Sequence, residues 1–288
     1  MAVLKRFRRG TKNSKPLRPD ADGVTYRPLE PLDDRVTGWR TVIEDDRQRT
    51  MYDRVAASVD REAYAALQER YRDEVEANDQ FHFTKYLDLA PWFMIHSRLA
   101  RLLDIDTRPA CSILDIGAGG GQFLAIAQCY GHDVTAFDQS HPAVYGDLMK
   151  LFGIDRVEGG VRYGEPLPDG IGRYDLVVIN GQIFDTRLDR TRWDLTEWAS
   201  FLEYLCAEHI NAPGNLFIGL NKSVGPTETE DYLWRLIEWG AAHGASVERN
   251  RATMDLKFDT PPTFDDVPHV PWLSLADDST KAAQKAST

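Results

Sequence analysis

The stretch SILDIGAGGGQF, residues 112–123, decides the fold of this chain. An apolar run leads into Asp115, and Gly117, Gly119 and Gly121 follow before a second apolar run begins. Glycine is used where a backbone must turn tightly or approach a ligand, because it has no side chain to collide. The pattern predicts a strand, a glycine loop and a helix start, which together form a nucleotide pocket at the carboxyl end of a strand in doubly wound α/β sheets.

A second strand is predicted at residues 134–137, and Asp138 follows it directly. In the predicted sheet this carboxylate lies beside the glycine loop, where it can accept two hydrogen bonds from the hydroxyls of a ribose. Such charge-assisted bonds contribute about 1.5–3 kcal/mol each. The two segments together therefore predict a site for a cofactor that contains a nucleoside.

Two cofactors could use this frame. A nicotinamide dinucleotide favours Gly-x-Gly-x-x-Gly, which places a pyrophosphate on a helix N-terminus. Counted from Gly117, the sixth position is Gln122, and the carboxylate of Asp115 would lie close to the diphosphate. S-adenosylmethionine has an ammonium, a sulfonium and a ribose but no phosphate, and carboxylates suit all three groups. The residues favour S-adenosylmethionine, and a nicotinamide-dependent oxidoreductase remains the alternative enzyme.

The sequence Asp115-x-Gly117-x-Gly119-x-Gly121, with Asp138 after it, resembles the first two motifs of the class I S-adenosylmethionine-dependent methyltransferases. The resemblance covers residues 84–258 and is greatest to bacterial members of unassigned substrate. It implies a Rossmann-like, doubly wound, seven-stranded sheet with an antiparallel last strand and helices on both faces. It also implies that S-adenosyl-L-methionine is the cofactor, that the three glycines line its methionine part, and that Asp138 binds its ribose.

The chain divides into four predicted parts. Residues 1–28 form a basic arm that we expect to be disordered, and residues 29–105 form an N-terminal helical cap. Residues 106–258 form the methyltransferase domain, and residues 259–288 form an extended or disordered tail. Within the cap, apolar residues at helical spacing from Met51 to Val75 predict one long helix or two shorter ones over residues 48–78, and residues 87–104 predict another.

Further candidate site residues follow the later strands. Glu165 lies past the predicted third strand, and Asn180 and Gln182 lie at the end of the fourth, so all three face the same crevice. The resemblance implies adenine contacts at Glu165 and a lid formed by residues just before the core. The full set of predicted cofactor-binding residues is Asp115, Gly117, Ala118, Gly119, Gly121, Asp138, Gln139, Glu165, Asn180, Gln182, Lys85 and Tyr86.

The acceptor of the methyl group is less well indicated. A hydroxyl acceptor would need a general base, and Asp185 and Lys222 are candidates by position alone. The text Asn180-Gly181-Gln182 differs from the Asn-Pro-Pro-aromatic sequence of methyltransferases that act on amino groups of nucleic acids and proteins. We therefore expect a small-molecule acceptor, such as a sugar or a secondary-metabolite intermediate. A protein-modifying methyltransferase and a non-catalytic, methyltransferase-like binding module remain open.

Charge and composition restrict the partners and the compartment. Residues 1–19 hold seven basic side chains and no acid, and removing this +7 from the net charge of −11 leaves −18 on the remainder. So acidic a body is a poor match for nucleic acid. No apolar run predicts a membrane span or a secretory signal. The three cysteines are widely spaced and odd in number, which predicts buried thiols in the cytoplasm. The spacing of the histidines predicts no metal site. The sequence leaves the oligomeric state open.

Overall fold

The computed structural model describes residues 25–78, 82–162, 164–182, 184–185, 193–221, 228–248 and 252–266. Seven strands in these ranges form one mixed sheet. They are β1 Ser112–Ile116, β2 Asp133–Asp138, β3 Asp155–Glu158, β4 Tyr174–Gln182, β5 Ile210–Leu220, β6 Ser246–Glu248 and β7 Thr253–Phe258.

The order of the strands across the sheet is β3-β2-β1-β4-β5-β7-β6. The strands from β3 to β5 run parallel, and β7 runs antiparallel to both β5 and β6. This confirms the predicted doubly wound, seven-stranded sheet with an antiparallel last strand.

The central parallel strands β1 and β4 are buried on both faces, because helices cover each side of the sheet. Alternate residues of a strand point to opposite faces, so Ile113 and Ala136 join one apolar core and Leu114 and Val177 join the other. The first face carries α6 (Gln122–Cys129) and α7 (Ala143–Phe152). The second face carries α8 (Leu195–His209) and α9 (Glu228–Ala242).

The N-terminal part packs against the first face. It comprises α1 (Leu32–Arg40), α2 (Asp46–Ser58), α3 (Arg61–Arg70), α4 (Arg72–Ala77), a 3₁₀ helix (Phe83–Leu87) and α5 (Leu89–Leu102). The sequence predicted one or two helices over residues 48–78, and the structure has three. The first break occurs because the Asp60 side chain caps α3 by accepting hydrogen bonds from two backbone amides. The break shifts the apolar phase, so Tyr64 is buried where Ala63 was expected to be.

A buried ion pair joins α1 to the start of α5 within this N-terminal part. The carboxylate of Asp88 accepts hydrogen bonds from Arg35 Nε at 3.1 Å, from Arg35 Nη2 at 2.5 Å and from the backbone nitrogen of Arg27 at 2.6 Å. The side chains of Asp88 and Arg35 are only 1% and 14% exposed. Burial raises the pKa of Asp88, and the Arg35 guanidinium opposes that rise. The pair therefore joins α1 to the junction between the 3₁₀ helix and α5.

Two smaller expectations can be compared with the structure. Cys206 is buried as predicted, whereas Cys111 and Cys129 are only partly buried. No helix in the described ranges is long and apolar enough to cross a membrane.

Candidate functional site

The glycine loop between β1 and α6 has the conformation that its sequence requires. Gly117, Gly119 and Gly121 have φ angles of 78°, 56° and 77°, which is a region that costs residues with side chains about 1–2 kcal/mol each. The backbone nitrogen of Gly121 donates to the carbonyl of Ala118 at 2.9 Å and closes a tight turn. Three alternate glycines thus allow the loop to fold back over the carboxyl end of β1.

Asp138 joins the end of β2 to this loop. Its Oδ2 accepts a hydrogen bond from the backbone nitrogen of Gly119, and its Oδ1 accepts one from the backbone nitrogen of Gln139, both at 2.6 Å. Each carboxylate oxygen keeps a further lone pair with which it can accept from a ligand. Burial raises the pKa of Asp138, and the two amides and the charge of Arg156 act in the opposite direction. The two backbone amides therefore orient the carboxylate.

Asp115 lies near Asp138 on the same face of the sheet. It is paired in register with Ala136, two residues before Asp138, and strand residues two apart point to the same side. The Asp115 side chain is buried, and no cation or hydrogen-bond donor of the described residues lowers the pKa of its carboxyl group. Burial, with the charge of Asp138, raises its pKa to about 8. A buried carboxyl group without a partner favours a cationic ligand.

Tyr86 of the 3₁₀ helix lies against the glycine loop. A Cβ atom added to Gly119 would be 3.9 Å from Tyr86 Cε1, and Gln122 Nε2 donates to the carbonyl oxygen of Tyr86 at 3.3 Å. The Tyr86 ring stacks on Trp92 at 4.2 Å and meets the ring of Tyr145 edge-on at 5.0 Å. The predicted lid residue thus borders the loop, and Tyr145 of α7 holds its ring from the other side.

Lys85, the second predicted lid residue, lies beside the same aromatic group. Its Nζ atom is 5.7 Å from the ring centre of Tyr26, 5.5 Å from that of Tyr86 and 5.6 Å from that of Trp92. Tyr26 stacks on the opposite side of Trp92 at 5.4 Å. Ammonium groups are attracted to aromatic rings at such distances, so the cation helps to hold the start of the described chain against the 3₁₀ helix.

Asn180 lies at the same edge of the sheet. Ile179 is paired with Ile116, so Asn180 is level with Gly117, and its partner on β5 is Gly219. A side chain on Gly219 would collide with Asn180 Oδ1. The site therefore extends across four neighbouring strands. At their carboxyl ends lie, in order across the sheet, Asp138, Gly117, Asn180 and Gly219.

The other predicted cofactor contacts lie around this row. Gln182 is the last residue of β4. The side chain of Gln139 runs along Gly160, in the segment after β3, because a Cβ atom on that glycine would be 3.6 Å from it. Glu165 is exposed, and its carboxylate lies 3.5 Å from the guanidinium of Arg162.

The two candidate bases are Asp185 and Lys222. Asp185 is 3% exposed and borders a cavity of about 10 Å³ together with Phe184, Trp198 and Ile218. Ile218 belongs to the core on the α8 face, so this cavity is on the opposite side of the sheet from Asp115. Lys222 lies outside the described residues.

A larger apolar cavity of about 20 Å³, lined by Trp239 and Met254 among others, is also on the α8 face and away from the glycine loop.

The structure adds site residues that the sequence did not indicate. Gln122 served only as a departure from the dinucleotide pattern, yet its buried carboxamide joins the loop to Tyr86. Tyr145 and Arg156 lie on α7 and β3, and neither belongs to a local motif. Gly120 is also constrained, since a Cβ atom there would be 2.9 Å from Leu148 Cδ1. All these contacts join residues that are distant in sequence, so no local pattern signals them.

Comparison with known proteins gives the following results. No protein-family model matches the chain, and no curated protein matches it either. One similar solved structure is the 1,6-didemethyltoxoflavin-N1-methyltransferase of Burkholderia thailandensis with bound 1,6-didemethyltoxoflavin and S-adenosylhomocysteine. That match has 23% identity and a TM-score of 0.38, and it covers 69% of this chain and 90% of that one.

Two further solved structures are similar at the same level. An O-methyltransferase family protein from Burkholderia thailandensis matches with 13% identity and a TM-score of 0.38, over 69% of this chain and 72% of that one. The Escherichia coli protein YjhP matches with 18% identity and a TM-score of 0.36, over 53% of this chain. The match covers 64% of YjhP, which is less than two thirds of its length.

The fold can be identified from the chain itself. The sheet has five parallel strands followed by an inserted antiparallel last strand. The loop after the central strand β1 has three left-handed glycines, and an acidic residue ends the neighbouring strand β2. This chain has the fold of the class I S-adenosylmethionine-dependent methyltransferases.

Proposed function

We propose that this protein is an S-adenosyl-L-methionine-dependent methyltransferase that acts on a small molecule. The observation that carries the proposal is the buried Asp115 carboxyl group beside Asp138, under the glycine loop and without a cationic partner among the described residues. Such an arrangement suits a ligand that brings positive charge and hydroxyl donors.

The residues present fit this cofactor better than a dinucleotide. Asp115 and Asp138 are acceptors when ionised, and the buried Gln122 Oε1 has no donor within the described chain. An ammonium, a sulfonium and ribose hydroxyls would complement these groups. A diphosphate would instead bring negative charge close to the Asp138 carboxylate and the buried Asp115 carboxyl group, neither of which can compensate it with positive charge. The alternative of a nicotinamide cofactor is therefore disfavoured.

We assign roles by position. Gly117, Ala118, Gly119 and Gly121 would line the methionine part, with Asp115 near its ammonium group. Asp138 would accept from the ribose hydroxyls, and Gln139 and Glu165 would lie near the adenine. Asn180 and Gln182 would border the methyl group from β4, and Lys85 and Tyr86 would cover the site.

When bound, the cofactor supplies an electrophilic methyl group on a sulfonium. The task of the protein is then to exclude water and to hold the acceptor atom about 3–3.5 Å from that methyl group. Tyr86 would contribute to the first task, because its ring lies beside Gly119 of the glycine loop. A deprotonated amine, carboxylate or phenolate acceptor would need no base. For a hydroxyl acceptor, Asp185 and Lys222 remain the candidate bases.

The small-molecule acceptor is proposed on two grounds. The chain beyond residue 19 carries a net charge of −18, obtained by removing the +7 of residues 1–19 from −11, and this disfavours nucleic acid. The residues after β4 also lack the Asn-Pro-Pro-aromatic sequence. A structural neighbour of this chain is a methyltransferase with a small molecule bound, which is compatible with the proposal.

Cofactor binding can be tested by calorimetry. S-adenosylhomocysteine should bind the full-length protein, and NAD or NADP should give no heat under the same conditions. Absence of both heat and a thermal shift with millimolar S-adenosylhomocysteine would reject the proposal. Binding of NAD alone would support the oxidoreductase alternative.

The acceptor class needs a second experiment. The protein is incubated with methyl-labelled S-adenosylmethionine and a bacterial extract that has been separated into small-molecule and protein fractions. Label in the small-molecule fraction supports the proposal, and label in protein contradicts it in favour of a protein-modifying enzyme. Cofactor binding without transfer to either fraction would favour a non-catalytic binding module.

A further inference from the structure

Arg156 of β3 is a buried arginine beneath α7. It is paired in register with Ala136, and it therefore points to the same face of the sheet as Asp115 and Asp138. A Cβ atom on Gly146 would lie 2.6 Å from Arg156 Nη1. The glycine in α7 thus provides the space that the guanidinium occupies, since any larger residue would displace it.

The guanidinium has no close partner of opposite charge. Its side chain is 9% exposed, and its nearest carboxylate contact among the described residues is 4.0 Å, from Nη1 to Glu158 Oε1. Arg156 Nε and Nη2 are buried and have no hydrogen-bond acceptor in the described chain. These two atoms form the edge with which Arg35 and Arg47 bind carboxylates elsewhere in this protein. Burying this edge without a hydrogen-bond acceptor costs free energy. This cost indicates that Arg156 has a role other than packing.

The charge of Arg156 acts on Asp138. Burial raises the pKa of Asp138, and Arg156 is the cation that lowers it. Asp138 already accepts from two backbone amides, so Arg156 acts through space and not through a hydrogen bond. An arginine is suited to this because it stays protonated at any pH at which the protein is folded.

We propose that Arg156 is the positioning residue of the ribose subsite, whose buried positive charge keeps Asp138 anionic and aligned to accept the two ribose hydroxyls. The inference rests on the proposed function, because it assigns a partner to a residue of that cofactor site. Arg156 itself does not touch the ribose, since the edge of its guanidinium is buried.

Other titratable groups also lie around Asp138. Asp115 from β1 carries a raised pKa of about 8 and is mostly uncharged at pH 7 or below. The phenols of Tyr86 and Tyr145, from the 3₁₀ helix and α7, have raised pKa values and stay neutral. Glu158 of β3 is paired with Asp138 but is exposed. Among these groups Arg156 is the only positive one, so its removal should shift Asp138 toward the protonated form.

The experiment measures ligand binding against pH in wild type, Arg156→Gln and Arg156→Lys. The probes are S-adenosylhomocysteine and 5′-methylthioadenosine, which has the ribose and adenine but no amino-acid part and so is insensitive to Asp115. We expect wild-type affinity for 5′-methylthioadenosine to change little from pH 7.5 to 5.5. Arg156→Gln should lose several-fold more affinity at pH 5.5 than at pH 7.5, because loss of the positive charge favours protonation of Asp138. Arg156→Lys should restore most of that loss.

Two further variants serve as controls. Glu158→Gln removes a neighbouring exposed charge and should leave the pH profile unchanged. Gly146→Ala keeps Arg156 but displaces its guanidinium, so it should reproduce the pH-dependent loss even if Arg156→Gln does not fold. An equal loss at every pH would mean that Arg156 has only a structural role, and an unchanged affinity would also overturn the inference. Absence of binding by the wild-type protein would instead reject the proposed function.

Discussion

The carboxylate of Asp138 holds the backbone nitrogen of Gly119 at 2.6 Å. This bond joins the end of one strand to the glycine loop after its neighbour. The residue that we assign to the ribose therefore also holds the conformation of the loop. Preorganisation of this kind raises affinity, because less ordering is required when the ligand binds.

Replacement of Asp138 should weaken cofactor binding. Asp138→Ala removes an acceptor of charge-assisted bonds that contribute about 1.5–3 kcal/mol, so the affinity for S-adenosylhomocysteine should fall roughly 10–100-fold in calorimetry. Asp133→Asn, at the exposed start of the same strand, is the control and should bind as wild type. An Asp138→Ala protein with unchanged affinity would remove Asp138 from the ribose role.

Asp115 should make the ligand-free protein less stable as the pH rises. Its pKa is about 8 in the folded chain, against an ordinary value of 3.8 for an unburied carboxyl group. Between these values the unfolded chain has released the proton and the folded chain retains it, so stability present at low pH is lost as the pH rises to about 8. The expected slope is about 1.4 kcal/mol per pH unit.

The Asp115→Asn variant tests that slope. It cannot ionise, so its melting temperature relative to wild type should rise steadily between pH 5 and pH 8. Thermal unfolding without ligand at several pH values is the measurement, and binding of S-adenosylhomocysteine should be weaker in the variant. A constant difference in melting temperature from pH 5 to pH 8 would contradict the raised pKa.

Gly121 and Gly131 differ in how closely neighbouring side chains approach them. Both have left-handed backbones, with φ angles of 77° and 83°, so alanine costs each about 1–2 kcal/mol. A Cβ atom on Gly121 would also lie 3.2 Å from Met149 Cγ and 3.3 Å from Ile154 Cδ1, whereas one on Gly131 would have nothing within 4 Å. Gly121→Ala should therefore destabilise by about 1–3 kcal/mol more than Gly131→Ala. Urea unfolding measures both, and equal losses would show that the neighbours of Gly121 yield freely.

The ion pair of Arg35 and Asp88 should contribute strongly to the stability of the N-terminal part. Arg35→Met leaves a buried carboxylate without its cation, which typically costs about 3–5 kcal/mol. Asp88→Asn in addition should recover part of the loss, because no buried charge then remains. Arg40→Met breaks an exposed pair with Asp53 and should change the free energy of unfolding far less. A similar effect of both arginine substitutions in urea unfolding would count against this interpretation.

The sequence was sufficient for the features that depend on neighbouring residues. The glycines from 117 to 121 predicted the loop because left-handed backbone has a local cause, and the apolar runs predicted the strands because parallel strands are buried on both faces. Asp138 was identified by its place at the end of such a strand. The one or two helices expected over residues 48–78 are three in the structure, and the first break is at Asp60, whose side chain caps the next helix.

The tertiary structure decided the features that depend on distant residues. The raised pKa of Asp115 follows from burial, which residue spacing does not reveal. The contact of Gln122 with Tyr86 joins residues 36 positions apart, and the placement of Arg156 depends on a glycine in a different element. A sequence pattern records which residues repeat along an element, whereas charge, burial and close approach across elements arise only when the sheet and its helices are packed together.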